Sequence, residues 1–210
     1  MSQSPSEPIT LAMTGASGAQ YGLRLLECLL QADRAVYLLF TKAAQVVIGS
    51  ETDVALPGRA AEQARYLASR YGARDGQLRV FGAEEWSAPV ASGSGAPRAM
   101  VVCPCSMGTL ASIANGASDN LLERAADVVI KERGNLILVP RETPFSAIHL
   151  ENMLKLARLG VSILPANPGF YHRPKRIEEL IDFVVARVLD QLGIDTALLR
   201  RWGREPGEQR

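Results

Sequence analysis

Apolar runs of four to six residues alternate with amphipathic stretches along almost the whole chain. The runs Ile9–Met13 (ITLAM), Ala35–Phe40, Leu78–Phe81, Ala99–Cys103 (AMVVC), Leu136–Val139 and Val161–Leu164 read as strands buried on both faces. Between them, apolar positions at helical spacing predict helices over Gln20–Leu30, Lys42–Ile48, Ala60–Tyr71, about Met107–Ala114, Leu121–Glu132 and Ala147–Leu159. In the closing segment, Ile177, Leu180, Ile181, Val184, Val185, Val188 and Leu192 fall in helical register, which predicts a helix over Ile177–Leu192. Strands alternating with helices predict an α/β fold of three layers, a mostly parallel sheet flanked by helices on both faces. Ala88–Pro97 (APVASGSGAP) is too short for a domain linker and reads as a flexible surface loop, and the polar end Gly203–Arg210 reads as frayed. Residues 1–210 are therefore read as one domain, with a core over about 8–194 between polar termini.

Composition narrows the function classes. With 47% apolar and 21% charged residues the chain is ordinary for a globular protein, and 210 residues are enough for a full core. A net charge of +1 leaves no global field for non-specific nucleic-acid binding, so any anion site has to be local. The first apolar run is too short for a signal core or a membrane span, and three cysteines, Cys28, Cys103 and Cys105, cannot all pair. Both features predict a cytoplasmic protein. Cys103 and Cys105 stand without a second Cys or His pair at ligand spacing and read as buried small apolar residues, so no metal site is expected.

In open α/β sheets, ligands bind outside the carboxyl ends of the strands, so the residues just after each strand carry the chemistry. After the first strand, Thr14 to Gly22 (TGASGAQYG) is rich in small residues, which let backbone N–H groups approach an anion at a helix N-terminus. A tight turn alone would explain the same residues. Thr41 reads as a helix cap that could also bond a phosphate, and Glu51 as a carboxylate at a helix end. After the fourth strand, Ser106, Met107, Gly108 and Thr109 form a second candidate anion cradle. After the fifth, Arg141 offers a planar fork for phosphate and Glu142 a carboxylate that can pass a proton; a surface ion pair is the plain alternative. Arg124 and Lys131 lie seven residues apart on one predicted helix and share a face. The last loop holds Tyr171 and His172, and Arg187 sits on the closing helix.

Six ordered blocks resemble the UbiX-type flavin prenyltransferases: MTGASGA at 13–19, ETD at 51–53, PCSMGTL at 104–110, LLERAADVVIKER at 121–133, VPRETPF at 139–145 and PGFYHRP at 168–174. The resemblance spans about residues 8–194. It implies a Rossmann/flavodoxin-like fold, a homododecamer with sites at subunit contacts, and transfer of a dimethylallyl group from dimethylallyl monophosphate to reduced FMN without a metal. The bonds would form at nitrogen 5 and carbon 6 of the flavin. The prenylated FMN then serves a UbiD-type decarboxylase in ubiquinone synthesis or aromatic-acid decarboxylation.

Carried over by motif, Gly15, Ala16, Ser17, Thr41, Ser106, Met107, Gly108, Thr109 and Arg124 contact FMN, while Trp86 and the Ala91–Ser92 region cover it. Arg124, Lys131, Arg141, Tyr171 and Arg187 hold the prenyl phosphate. Ser17, Glu51 and Glu142 are the implied catalytic residues, the first two relaying protons and the third assisting phosphate departure. Some members of the family carry Lys where this chain has Gly108, and backbone N–H groups build the cradle in either case. Two alternatives compete: an FMN-dependent decarboxylase of the phosphopantothenoylcysteine or peptidyl-cysteine type, and a non-catalytic flavin carrier.

Overall fold

The computed structural model describes residues 7–198, so the frayed end expected over 203–210 lies outside the described residues. Six strands form one sheet: β1 (Ile9–Met13), β2 (Val36–Phe40), β3 (Leu78–Phe81), β4 (Ala99–Cys105), β5 (Asn135–Pro140) and β6 (Ser162–Ile163). All pairings are parallel and the order is β3-β2-β1-β4-β5-β6, the doubly wound Rossmann order. The helices are α1 (Ala19–Gln31), α2 (Lys42–Glu51), α3 (Ala60–Tyr71), α4 (Met107–Ala114), α5 (Leu121–Lys131), α6 (Ala147–Arg158) and α7 (Ile177–Gln191).

The strand pleat divides the core in two. Leu11, Met13, Leu38, Val101, Cys103 and Ile137 face the layer of α1, α2, α3 and α7. Their neighbours Ala12, Leu39, Val102, Leu136 and Leu138 face α4, α5 and α6. Because both faces are covered, β1 is buried at every position, which explains why its sequence is apolar but for Thr10. Gly22 allows the close fit of α1 to the sheet, since a Cβ there would lie 2.3 Å from the Cys103 carbonyl oxygen.

Three features differ from the sequence reading. β4 runs on through Pro104 to Cys105, with a register shift between Val102 and Cys105 that lets the strand continue past a proline. β6 is only two residues long, because the edge of the sheet demands little pairing. The Ala88–Pro97 stretch is not a free surface loop. Ala88, Val90 and Pro97 are buried, Pro89–Ala91 forms a 3-10 turn, and Arg124 Nε donates to the Ala91 carbonyl at 3.0 Å. The apolar residues interleaved among its glycines and serines dock the segment on α5.

Candidate active site at the carboxyl ends of β1 and β4

The chain leaves β1 to one side for β2 and β3 and returns on the other for β4, so β1 and β4 flank the crevice where such folds bind ligands. Thr14 ties the crevice together. Its hydroxyl donates to the Pro104 carbonyl at 2.8 Å and accepts from Ser106 N–H at 2.8 Å. Thr14 was read only as part of a small-residue turn; a hydroxyl directly after a buried strand was the available signal. Ser106 then caps α4 by accepting from Thr109 N–H, and its hydroxyl donates to Thr109 Oγ1 at 3.1 Å. Met107 is buried, whereas nothing lies within 4 Å of where a Gly108 Cβ would stand, so the first turn of α4 faces open space. On the β2 side, Thr41 caps α2 by accepting from Ala44 N–H at 3.0 Å. A Cβ on Gly15 would lie 2.5 Å from that of Ala43, so only glycine lets this turn pass α2.

Glu51, at the end of α2, reaches the start of α1. Its Oε2 accepts from Gly18 N–H at 2.8 Å and Ala19 N–H at 3.0 Å, and the Ser17 hydroxyl bonds it as well. The α1 N-terminus expected to face a phosphate is therefore occupied by a carboxylate of the chain itself. Burial pushes the Glu51 carboxyl upward, but the hydrogen bonds from Ser17, Gly18 and Ala19 and the nearby Arg141 charge outweigh it. The net effect holds it below the ordinary carboxylate range. Gln20, which the sequence did not single out, donates from Nε2 to the Glu51 main-chain carbonyl at 3.0 Å.

Arg141 follows β5 directly, and its N–H donates to the Cys105 carbonyl at 3.3 Å, which places it over β4. Its Nε is buried with no hydrogen-bond partner, a donor left for something the chain does not supply. Glu142 beside it accepts from Thr143 N–H. Arg124 lies in the first turn of α5, whose Leu121 N–H bonds the Ala83 carbonyl just past β3, and its NH1 is paired with Asp127 at 2.8 Å. Trp86 is half exposed in the same stretch after β3. Beyond β6, Tyr171 meets the Phe183 ring edge-on at 5.6 Å. Arg187 lies one turn from Phe183 and lines with it and Asn167 a cleft of about 440 Å³, paired with Asp190 at 2.6 Å. His172 stacks on Phe183, with both ring nitrogens buried.

Lys131 stands apart. It ends α5 at the amino side of the sheet, ion-paired with Glu132, with all of β5 between it and Arg141. The six residues of β5 span about 20 Å. The chain thus gathers Gly15, Ala16, Ser17, Thr41, Glu51, Ser106, Thr109, Arg141 and Glu142 at the carboxyl ends, with Arg124 and Trp86 on one flank and Tyr171 on the other, while Arg187 lies farther along α7, one turn before Gln191, whose carbonyl accepts from Asn135 at the start of β5. Lys131 does not join them within one chain. Cys103 and Cys105 are fully buried free thiols, pushed up by burial, and no cluster of metal-ligating side chains occurs among the described residues.

The profile of the Flavoprotein family matches residues 1–189. A flavin prenyltransferase UbiX of Pseudomonas aeruginosa is 63% identical over 199 residues, 95% of each chain. A UbiX protein crystallised with FMN and dimethylallyl pyrophosphate has a TM-score of 0.83 at 40% identity, covering 95% of this chain and 98% of its own. A dodecameric FMN-dependent UbiX-like decarboxylase from Escherichia coli O157:H7 has a TM-score of 0.82 at 40% identity, covering 94% and 100%. With relatives this similar over nearly its whole length, the chain belongs to the Flavoprotein family and, within it, to the UbiX flavin prenyltransferases.

Proposed function

We propose that this chain transfers a dimethylallyl group from dimethylallyl monophosphate to reduced FMN, releasing phosphate and yielding prenylated FMN for a UbiD-type decarboxylase. The observation that carries the reading is the crevice between β1 and β4. There an open, Ser106-capped helix start, a Ser17–Glu51 pair and an Arg141 guanidinium with an unspent donor meet at one end of the sheet. Reduced FMN supplies the electron-rich ring that accepts the prenyl group.

The chain's residues fit that ligand. The α4 N–H groups with Ser106 and Thr109 suit a phosphate, because a helix start concentrates unpaired donors. Gly15, Ala16, Met107, Gly108 and Thr41 give the ring a close backbone approach, with Arg124 and Trp86 on its open side. Arg141, Tyr171 and Arg187 grip the prenyl phosphate, and a neighbouring copy supplies Lys131. Convergent cations neutralise the charge that builds as the allylic C–O bond breaks. Glu142 gives a proton to the departing phosphate, while Ser17 and Glu51 move a proton at the flavin. The allylic centre has to be kept from water while its C–O bond breaks.

We further propose that the chain works as one flavoprotein domain, in the cytoplasm, as a homododecamer. Three free cysteines suit a reducing compartment. Among the described residues no helix is long and apolar enough to cross a membrane. Ile148, Leu150, Leu154 and Leu159 are exposed apolar residues on and just after α6, which suits a subunit contact.

The test is anaerobic: reduced FMN and dimethylallyl monophosphate, no added metal, and mass spectrometry of the released flavin. A flavin heavier by one prenyl unit is the expected result. An unchanged mass with FMN bound would remove the transferase reading and favour a decarboxylase.

A further inference from the structure

Three consecutive residues of one segment hold Glu51. The N–H groups of Gly18 and Ala19 take its carboxylate, and the side chain of Gln20 takes its main-chain carbonyl. That carbonyl belongs to the last turn of α2, where helical partners run out. A carboxylate held by two N–H groups and the Ser17 hydroxyl still shifts if the backbone beneath it moves. Gln20 removes that freedom by stapling the end of α2 to the first turn of α1. We propose that Gln20 is a positioning residue for prenyl transfer, holding the Glu51 backbone so that its carboxylate stays on the α1 N-terminus within reach of Ser17. The inference rests on the reading of Glu51 as a proton relay.

The charges around Glu51 leave this arrangement dominant. Arg141 is the cation that favours its ionised form from across the crevice. Behind Glu51 lies a groove of about 600 Å³ between α1, α3 and α7. Its arginines are already engaged: Arg24 by Glu27 and Asp182, Arg70 by Asp53, and Arg176 by Glu179. Glu178 and Tyr71 are the other titratable groups lining it. If Gln20 lets go, the donors to the carboxylate lengthen and protonation becomes easier, so a step that needs the ionised form is lost at a higher pH.

The experiment follows kcat/KM against pH for the wild type, Gln20→Leu, Glu51→Gln and the double variant, with bound FMN and thermal unfolding recorded for each. Gln20→Leu keeps the size and removes the donor; Gln20→Ala serves in its place should the leucine variant fold poorly. The expected result is an acid limb moved to higher pH in Gln20→Leu, with FMN retained. Adding Gln20→Leu to Glu51→Gln should then cause no further loss. An unmoved acid limb in Gln20→Leu, or fully multiplicative losses in the double variant, overturns the role of Gln20. An acid limb that survives in Glu51→Gln overturns instead the proton-relay reading on which it rests.

Discussion

A negative side chain at a helix start meets unpaired N–H groups and the positive end of the helix dipole, and Glu51 takes that place on α1. Its carboxyl is held below the ordinary range. A group whose folded value is depressed stabilises the fold above its unfolded value, about 4.3 for Glu, and loses that contribution as pH falls through the folded value. Glu51→Gln keeps the shape and removes the charge. It is expected to destabilise by about 0.3–1 kcal/mol at neutral pH. The difference should shrink below about pH 4. Denaturant unfolding at fixed protein concentration across that range checks both the size and the sign.

At the scale of elements, the site depends on how two strand ends are joined. Thr14 spans them, bonding both Pro104 and Ser106, while Ser106 starts α4. Thr14 is itself buried. Thr14→Val keeps the volume and leaves the Pro104 carbonyl its bond from the Thr14 N–H, but the Ser106 N–H loses its partner, which costs about 1–3 kcal/mol. The N-terminus of α4 should also loosen, so we expect a lower Tm together with weaker FMN binding, measured by fluorescence titration. A lower Tm with unchanged FMN affinity would detach the α4 cradle from the flavin. The segment around Val90 belongs to this scale too: α5 holds it through packing and through the Arg124 bond to the Ala91 carbonyl.

For the whole molecule, the decisive fact is that β5 separates Lys131 from Arg141. If Lys131 serves a neighbour's site, mixed assemblies can rebuild an intact one. Lys131→Ala and Arg141→Ala proteins, each nearly inactive alone, should recover part of the activity when dissociated and reassembled together. Separate sites in each chain would recover none. The exposed apolar residues of α6 offer a check on assembly, because Ile148→Asp with Leu154→Asp should reduce the assembled mass seen by light scattering.

The linear order of apolar and polar residues determined most of the architecture. Strands buried on both faces are predominantly apolar, and helices covering them repeat near 3.6 residues, so β1 to β5 and α1 to α7 were legible to within a few residues. The switch-point rule then directed attention to strand ends, where Ser106, Thr41 and Arg141 stand. What tertiary structure alone decided are contacts between segments distant in sequence. The Glu51 carboxylate on α1, the Thr14 bridge to β4 and the Gln20 staple to α2 each span more than thirty residues. The separation of Lys131 from Arg141 depends on strand direction rather than on sequence spacing. The docking of 88–97 was hidden because glycine and serine suggest mobility, while a few interleaved apolar side chains, Val90 foremost, decide where such a segment rests.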